Sequence, residues 1–112
     1  MITKEEHELL ASEFSDVINY GADNPLEPID PLSYVSPEGD TCLHIAVWRR
    51  DPEAIDMLCR AGIDVNAIGD MGQSALGIAA ELGDAEICRL LLANGASTSV
   101  VDELSRTISL PR

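Results

Sequence analysis

A chain of 112 residues has room for one domain with a modest core. Twenty acids against seven bases leave a formal net charge of -13, which disfavours nucleic acid and anionic membranes as partners. Cys42, Cys59 and Cys88 form no CxxC pair and no histidine stands at metal-ligand spacing, so the expectation is reduced thiols in a cytoplasmic protein. The N-terminus lacks a basic region followed by an apolar stretch, and the longest plainly apolar run is only Leu90-Leu91-Leu92-Ala93. Neither a secretion signal nor a membrane span is expected.

In chain order, Thr3-Lys4-Glu5-Glu6 is a capping-box pattern that opens a helix, with Leu9, Leu10, Phe14, Val17 and Ile18 as its apolar stripe. Residues 1–38 read as an N-terminal cap and its loop. They hold nine acids and one base, against eleven acids and six bases in residues 39–112, so the first third is the more acidic surface. From Gly21 to Gly39 there are 18 positions, whereas from Gly62 to Gly72 there are 10. The longer loop, NPLEPIDPLSYVSPE, carries four prolines and the acids Glu27, Asp30 and Glu38. That composition predicts a stiff, extended, projecting loop of the kind that often carries function.

From residue 39 the chain repeats itself at a shift of 33: GDTCLHIAV at 39–47 falls on GQSALGIAA at 72–80, Glu53 on Glu86, Leu58 on Leu91 and Gly62 on Gly95, without a gap. Each period, 39–71 and 72–104, predicts two short helices. Thr41 or Ser74 caps the first. Arg50-Asp51-Pro52 or Gly83-Asp84-Ala85 makes the turn, with Pro52 at a first-turn position that tolerates it. The second helix buries a stripe of Ile55, Leu58 and Cys59, or Ile87, Leu90 and Leu91, and ends at Gly62 or Gly95, where a left-handed cap is needed.

These residues resemble the ankyrin repeat. Its Thr-Pro-Leu-His motif is matched by Thr41-Cys42-Leu43-His44 and, more weakly, by Ser74-Ala75-Leu76-Gly77. Its repeat-ending Gly-Ala-Asp-Val-Asn-Ala is matched by Gly62-Ile63-Asp64-Val65-Asn66-Ala67 and by Gly95-Ala96-Ser97-Thr98-Ser99-Val100. The resemblance implies an all-α solenoid of stacked helix-turn-helix units with protruding turns, forming a single domain over 1–112. A third period opens at Asp102, with Thr107 a further 33 residues beyond Ser74, and 105–112 read as a partial repeat. Stacks of this kind usually need about three units for stability. The expectation is therefore that the open end is covered by a partner, by a second copy of the chain in a homo-oligomer, or by the tail itself.

Catalysis needs an activated nucleophile or metal with an oriented acid or base. Cys42 with His44 is the best available pair, yet residues two apart on a helix do not face each other. The resemblance gives His44 a structural role, satisfying backbone groups of a loop. His7, beside Glu5, Glu6 and Glu8, reads as a solvated helix residue. Gly69-Asp70-Met71-Gly72 reads as the turn between repeats rather than a phosphate loop, and Asp64 and Asn66 belong to the repeat-ending pattern rather than a calcium loop. No enzyme activity, cofactor or metal is expected.

Ankyrin repeats typically bind other proteins through their turn tips and the exposed face of each first helix. Carried over residue by residue, that surface comprises Asp40, Trp48 and Arg49 in the first period and Asp70, Met71, Gln73, Glu81 and Leu82 in the second, with Glu103 and Arg106 at comparable turn positions of the third. Trp48 stands one period before Glu81 and outside the buried stripe, so it is either an exposed interface anchor or covered by the folded-back loop. An apolar centre rimmed by Glu27, Asp30 and Glu38 suits a partner with a basic surface. Small size and acidity also resemble, in composition, small bacterial immunity proteins, which points to an inhibitor that neutralises a basic toxin such as a nuclease. A general adaptor that binds a peptide or domain without inhibiting it is the alternative.

Overall fold

The computed structural model describes residues 2–19, 22–24 and 26–97. Five helices follow in order: α1 (Lys4–Glu13), α2 (Cys42–Trp48), α3 (Pro52–Arg60), α4 (Ala75–Leu82) and α5 (Ala85–Ala93), with a short 3-10 turn, Asp70–Gly72, before α4. The fold is all-α, as the repeat pattern implies. Helix α2 packs on α4 to form an inner layer, while α3 lies between α1 and α5 in an outer layer. The partial third period, with Glu103, Arg106 and the question of what covers the open end, lies outside the described residues.

The period sets the core. Leu43, Ala46 and Val47 of α2 and Leu76, Ile78 and Ala79 of α4 are buried, together with Ile55 and Leu58 of α3 and Ile87 and Leu91 of α5. Ala46 and Ala79, one period apart, have no exposed surface; their small side chains let short helices approach closely, and no larger aliphatic would fit there without strain. Cys59 and Leu90, placed in the buried stripe by spacing alone, are only partly covered.

Both outer helices of the complete periods end in the same way. The N–H of Gly62 donates to the Cys59 carbonyl and that of Ile63 to Leu58, each at 3.1 Å; Gly95 and Ala96 repeat the pattern on Leu92 and Leu91. This is the two-bond left-handed helix ending, and φ is 96° at Gly62 and 94° at Gly95. The inner helices use it too, but with unequal residues. Gly83 has φ 70°, whereas its counterpart one period earlier is Arg50, at φ 53°. A side chain with a Cβ is strained in that region.

The helix starts are capped by short polar side chains. Asp51 accepts the Ala54 N–H at 3.2 Å, Asp84 that of Ile87 at 3.1 Å and Ser74 that of Gly77 at 3.1 Å. Thr41 behaves differently, because it closes a capping box with His44. The ring Nδ1 accepts the Thr41 N–H at 3.1 Å and lies 2.9 Å from the Thr41 hydroxyl. With Nδ1 accepting, the ring proton sits on Nε2, which donates to the Gln73 carbonyl at 3.1 Å. His44 is 1% exposed and ties one repeat to the turn of the next. Beside it, the Asp70 N–H donates to Asp40 Oδ1 at 2.8 Å. Gly69 leaves room for both contacts: a Cβ there would stand 2.3 Å from Asp40 Oδ1 and 2.9 Å from His44 Nε2.

The N-terminal third departs from expectation in two places. The Thr3 capping box forms, but α1 ends at Glu13, because Ser15 turns its N–H and hydroxyl onto the Ser12 carbonyl at 3.2 and 2.8 Å. Leu10 and Phe14 are therefore buried, while Leu9 and Ile18 are exposed. The proline-rich loop is also not an extended projection. Asn24 and Asp30 accept the N–H groups of Leu26 and Leu32 at 3.0 and 3.1 Å, which folds the chain into successive turns. Ile29 is buried in the core, and the Tyr34 hydroxyl donates to the Ile18 carbonyl at 3.3 Å. Its apolar residues gain more from covering the core than from projecting into water.

Two substitutions test this account by urea denaturation. Arg50→Gly is expected to raise stability by roughly 1 kcal/mol by removing the left-handed strain. Gly69→Ala is expected to lower it by about 2 kcal/mol, since the added methyl must displace Asp40 or His44 from its hydrogen bond.

Candidate functional site

Two turn fingers stand out from the inner layer. Val35 bridges Thr41 in one and Ile68 bridges Ser74 in the other, both antiparallel. The Ser36 N–H donates to the Asp40 carbonyl at 2.8 Å, and one period later the Gly69 N–H donates to Gln73 at 2.9 Å. The 33-residue period therefore reaches back to Val35, into the loop.

Trp48 is 50% exposed at the end of α2, so the loop does not cover it. Met71 is 74% exposed at the tip of the second finger, where φ 60° and ψ 20° put it in the left-handed region. A strained, exposed apolar residue at a tip has no packing to account for it. Gln73 Nε2 donates to Glu81 Oε2 at 2.8 Å, which pins this finger beside the inner helix. Trp48 occupies on α2 the position that Glu81 occupies on α4, so Trp48, Glu81 and the second finger share the inner side of the stack. Asp70 and Glu81 are exposed, as are Glu27, Asp30 and Glu38 of the loop.

Several positions expected to be free of structural duty are occupied by it. Asp40 is partly buried and holds the neighbouring finger through Asp70. Arg49 reaches both oxygens of Asp16 at 3.0 and 2.9 Å, donates to the Glu13 carbonyl at 2.9 Å, and lies 5.6 Å from the Phe14 ring centroid. It clamps the end of α1 onto α2. Asp30 spends its carboxylate on Leu32 N–H and the Ser33 hydroxyl. Leu82 is packed partly against the core.

Spacing also missed two members of this face. Val35 and Ile68 are 58% and 49% exposed and 33 positions apart, at equivalent places in the two fingers. The signal is present in the period, four positions upstream of Gly39 and of Gly72, where each repeat opens. With Trp48 and Met71 they give four large exposed apolar side chains on or beside the fingers.

The thiols are unsuited to nucleophilic work. Burial pushes Cys42 up to about 12, with Arg49 only partly opposing it, and Cys59 up to about 11. Burial also raises Cys88. Neither ring nitrogen of His44 is available to Cys42, since Nδ1 faces Thr41 and Nε2 faces Gln73. Among the described residues no three His, Cys, Asp or Glu side chains converge to hold a metal, and no helix is long and apolar enough to cross a membrane.

Residues 10–102 match the family model described as ankyrin repeats, in three copies. The match begins within α1 and so takes in the segment assigned above to an N-terminal cap. Among similar proteins, the nuclear factor NF-kappa-B p105 subunit of Gallus gallus is 39% identical over 62 residues, 55% of this chain and 6% of that protein. Protein PhlB of Serratia liquefaciens is 45% identical over 60 residues, 54% of this chain and 26% of that protein. Protein phosphatase 1 regulatory subunit 12A of Mus musculus is 35% identical over 69 residues, 62% of this chain and 7% of that protein. The chain thus spans between 6% and 26% of the length of these relatives.

Raised thiol pKa values mean that the reactive thiolate is scarce at neutral pH. At pH 8, iodoacetamide should modify Cys42 and Cys59 at least about tenfold more slowly in the native protein than in denaturant, where ordinary values return, and Cys88 should be slowed as well. Mass spectrometry of the alkylated protein reads the rates, and Cys42 should be the slowest.

Proposed function

The chain belongs to the ankyrin-repeat family, whose repeats bind other proteins, and from that premise we propose that it is a non-catalytic binding module whose inner face engages a partner with a basic surface. One observation carries the reading: Trp48, half exposed at the end of α2, and Met71, exposed at the tip of the second finger in a left-handed conformation, are both large apolar side chains left in the open. Tryptophan is a usual anchor of interfaces, and the flexible methionine adapts to a partner's surface. Asp70 and Glu81 flank them, and the loop acids Glu27 and Glu38 lie on the more acidic third of the chain. An apolar centre with an acidic rim draws a basic protein in and orients it.

The finer form of the proposal is an inhibitor or immunity-type protein that occludes a basic toxin such as a nuclease. Supporting it are the net charge of -13 and a rigid small scaffold that could seal a cationic cleft. A regulatory subunit of a phosphatase carries a similar segment, which fits a module that controls its partner. A second reading has an observation of its own: Val35, Ile68, Trp48 and Met71 are apolar and exposed, which suits an adaptor whose binding depends little on salt. A reducing, cytoplasmic setting belongs to both, in keeping with three free cysteines.

The test is affinity capture from the native host followed by calorimetry on the purified partner. Trp48→Ala should weaken binding by about 2 kcal/mol or more. Neutralising Glu27, Asp30 and Glu38 to their amides should slow association and flatten its salt dependence; Asp30→Asn retains the oxygen that accepts the Leu32 N–H. An unchanged affinity in Trp48→Ala rejects the inner face. A partner that is acidic, or an affinity constant between about 50 and 500 mM salt, rejects the basic-toxin form and leaves the adaptor.

A further inference from the structure

The outer layer carries a second surface, on helices that the proposed inner face does not use. An open groove of about 570 Å³ crosses α1, α3 and α5. Its apolar lining is Leu9 of α1, Pro52 and Met57 of α3 and Leu90 of α5, with Met57 largely buried and Leu9 the most exposed. Met57 and Leu90 are one period apart, so this row runs along the stack. One helical turn before each stands a carboxylate, Glu53 before Met57 and Glu86 before Leu90. Residues four apart lie on the same face of a helix, so an acidic row runs beside the apolar one.

The charges of the groove are unbalanced. Glu6, Glu53, Asp56 and Glu86 line it with a single base, Arg60, and that base is already engaged. Arg60 contacts Glu6 at 2.5 Å and Asp56 at 2.8 Å, holding Glu6 down at about 2. Glu53 and Glu86 form no ion pair among the described residues. They are exposed in the first turns of α3 and α5. Leu9 is 56% exposed, although α1 had Leu10 and Phe14 to bury in its place.

We propose that this groove is a docking site for a basic amphipathic helix of a partner protein, lying along the stack with its leucine-like face on Leu9, Met57 and Leu90 and its cations on Glu53 and Glu86. The spacing fits. Neighbouring helix axes in packed layers lie about 8–10 Å apart, and two side chains about seven residues apart on a helix are separated by about 10.5 Å of rise. Lysines at that interval, with leucines between them, meet the two carboxylates and the apolar row together. Charge complementarity also selects against anionic occupants, because a phosphate-bearing ligand would face four carboxylates.

The probe is a fluorescent helical peptide with lysines at that interval and leucines between, compared with two controls: the same peptide with glutamates for lysines, and one with alanines for leucines. Fluorescence anisotropy with the full chain should show saturable binding of the first only. Glu53→Gln with Glu86→Gln, both at exposed positions where folding is retained, should weaken it about tenfold, and Leu9→Ala should weaken it as well, with circular dichroism confirming the fold. Methyl resonances of Met57 and Leu90 should shift on titration while the Trp48 indole resonance does not. Equal binding by the alanine control, unchanged affinity in the double amide variant, or perturbation at Trp48 instead of Met57 would each overturn the proposal. Because Trp48→Ala should leave peptide binding intact, failure here is separable from failure of the inner-face reading.

Discussion

The contact on which the stack depends is the histidine bridge between Thr41 and Gln73. A buried imidazole must have both nitrogens satisfied, and His44 satisfies them across a repeat boundary, accepting the Thr41 N–H at Nδ1 and donating from Nε2 to the Gln73 carbonyl. That fixes the tautomer, the orientation of the second finger and the distance between inner helices in one arrangement. Gly69 and Asp40 are placed by the same geometry, one by leaving space and the other by accepting the Asp70 N–H. Removing the imidazole would leave the Thr41 N–H without its partner and take one of two donors from the Gln73 carbonyl, which the Gly69 N–H still serves.

Much of this was legible in the sequence because the repeat states its constraints twice. The shift of 33 placed the helix pairs, and Gly62 and Gly95 marked the left-handed endings that both form. Legibility failed where a position had no second copy to compare. The loop of residues 24–38 was expected to be extended because proline disfavours helix, yet Asn24 and Asp30 build turns and Ile29 finds the core. Likewise the stripe on α1 ran too far, since periodicity cannot reveal that Ser15 will cap the Ser12 carbonyl and stop the helix.

The binding surface was partly legible for a similar reason. Consensus positions identify what the scaffold does not need, which singles out Trp48 and Met71 but leaves open whether the loop covers Trp48; the structure shows both exposed. Consensus positions cannot show that Asp40 and Arg49 are engaged by neighbours, because both bonds run to residues about 30 positions away. Nor did they point to the outer groove, which appears only when Leu9 of an irregular segment is set against Met57 and Leu90 of regular ones. The two surfaces share the rigid helix layers between them, and neither requires its counterpart to move.

Each link between repeats joins only neighbours: His44 to Gln73, Asp40 to Asp70, and Asn66, which accepts the Ser97 N–H at 2.8 Å and donates to the Gly95 carbonyl at 3.3 Å. Mechanically, the links that cross one boundary act in parallel, while successive boundaries, such as the one that Arg49 crosses to reach Asp16, act in series. Compliances in series add, so a load applied across the stack is shared as small rotations at every boundary instead of concentrating at a hinge. A partner gripping the fingers therefore meets a surface whose curvature yields a little at each repeat while each helix pair stays rigid.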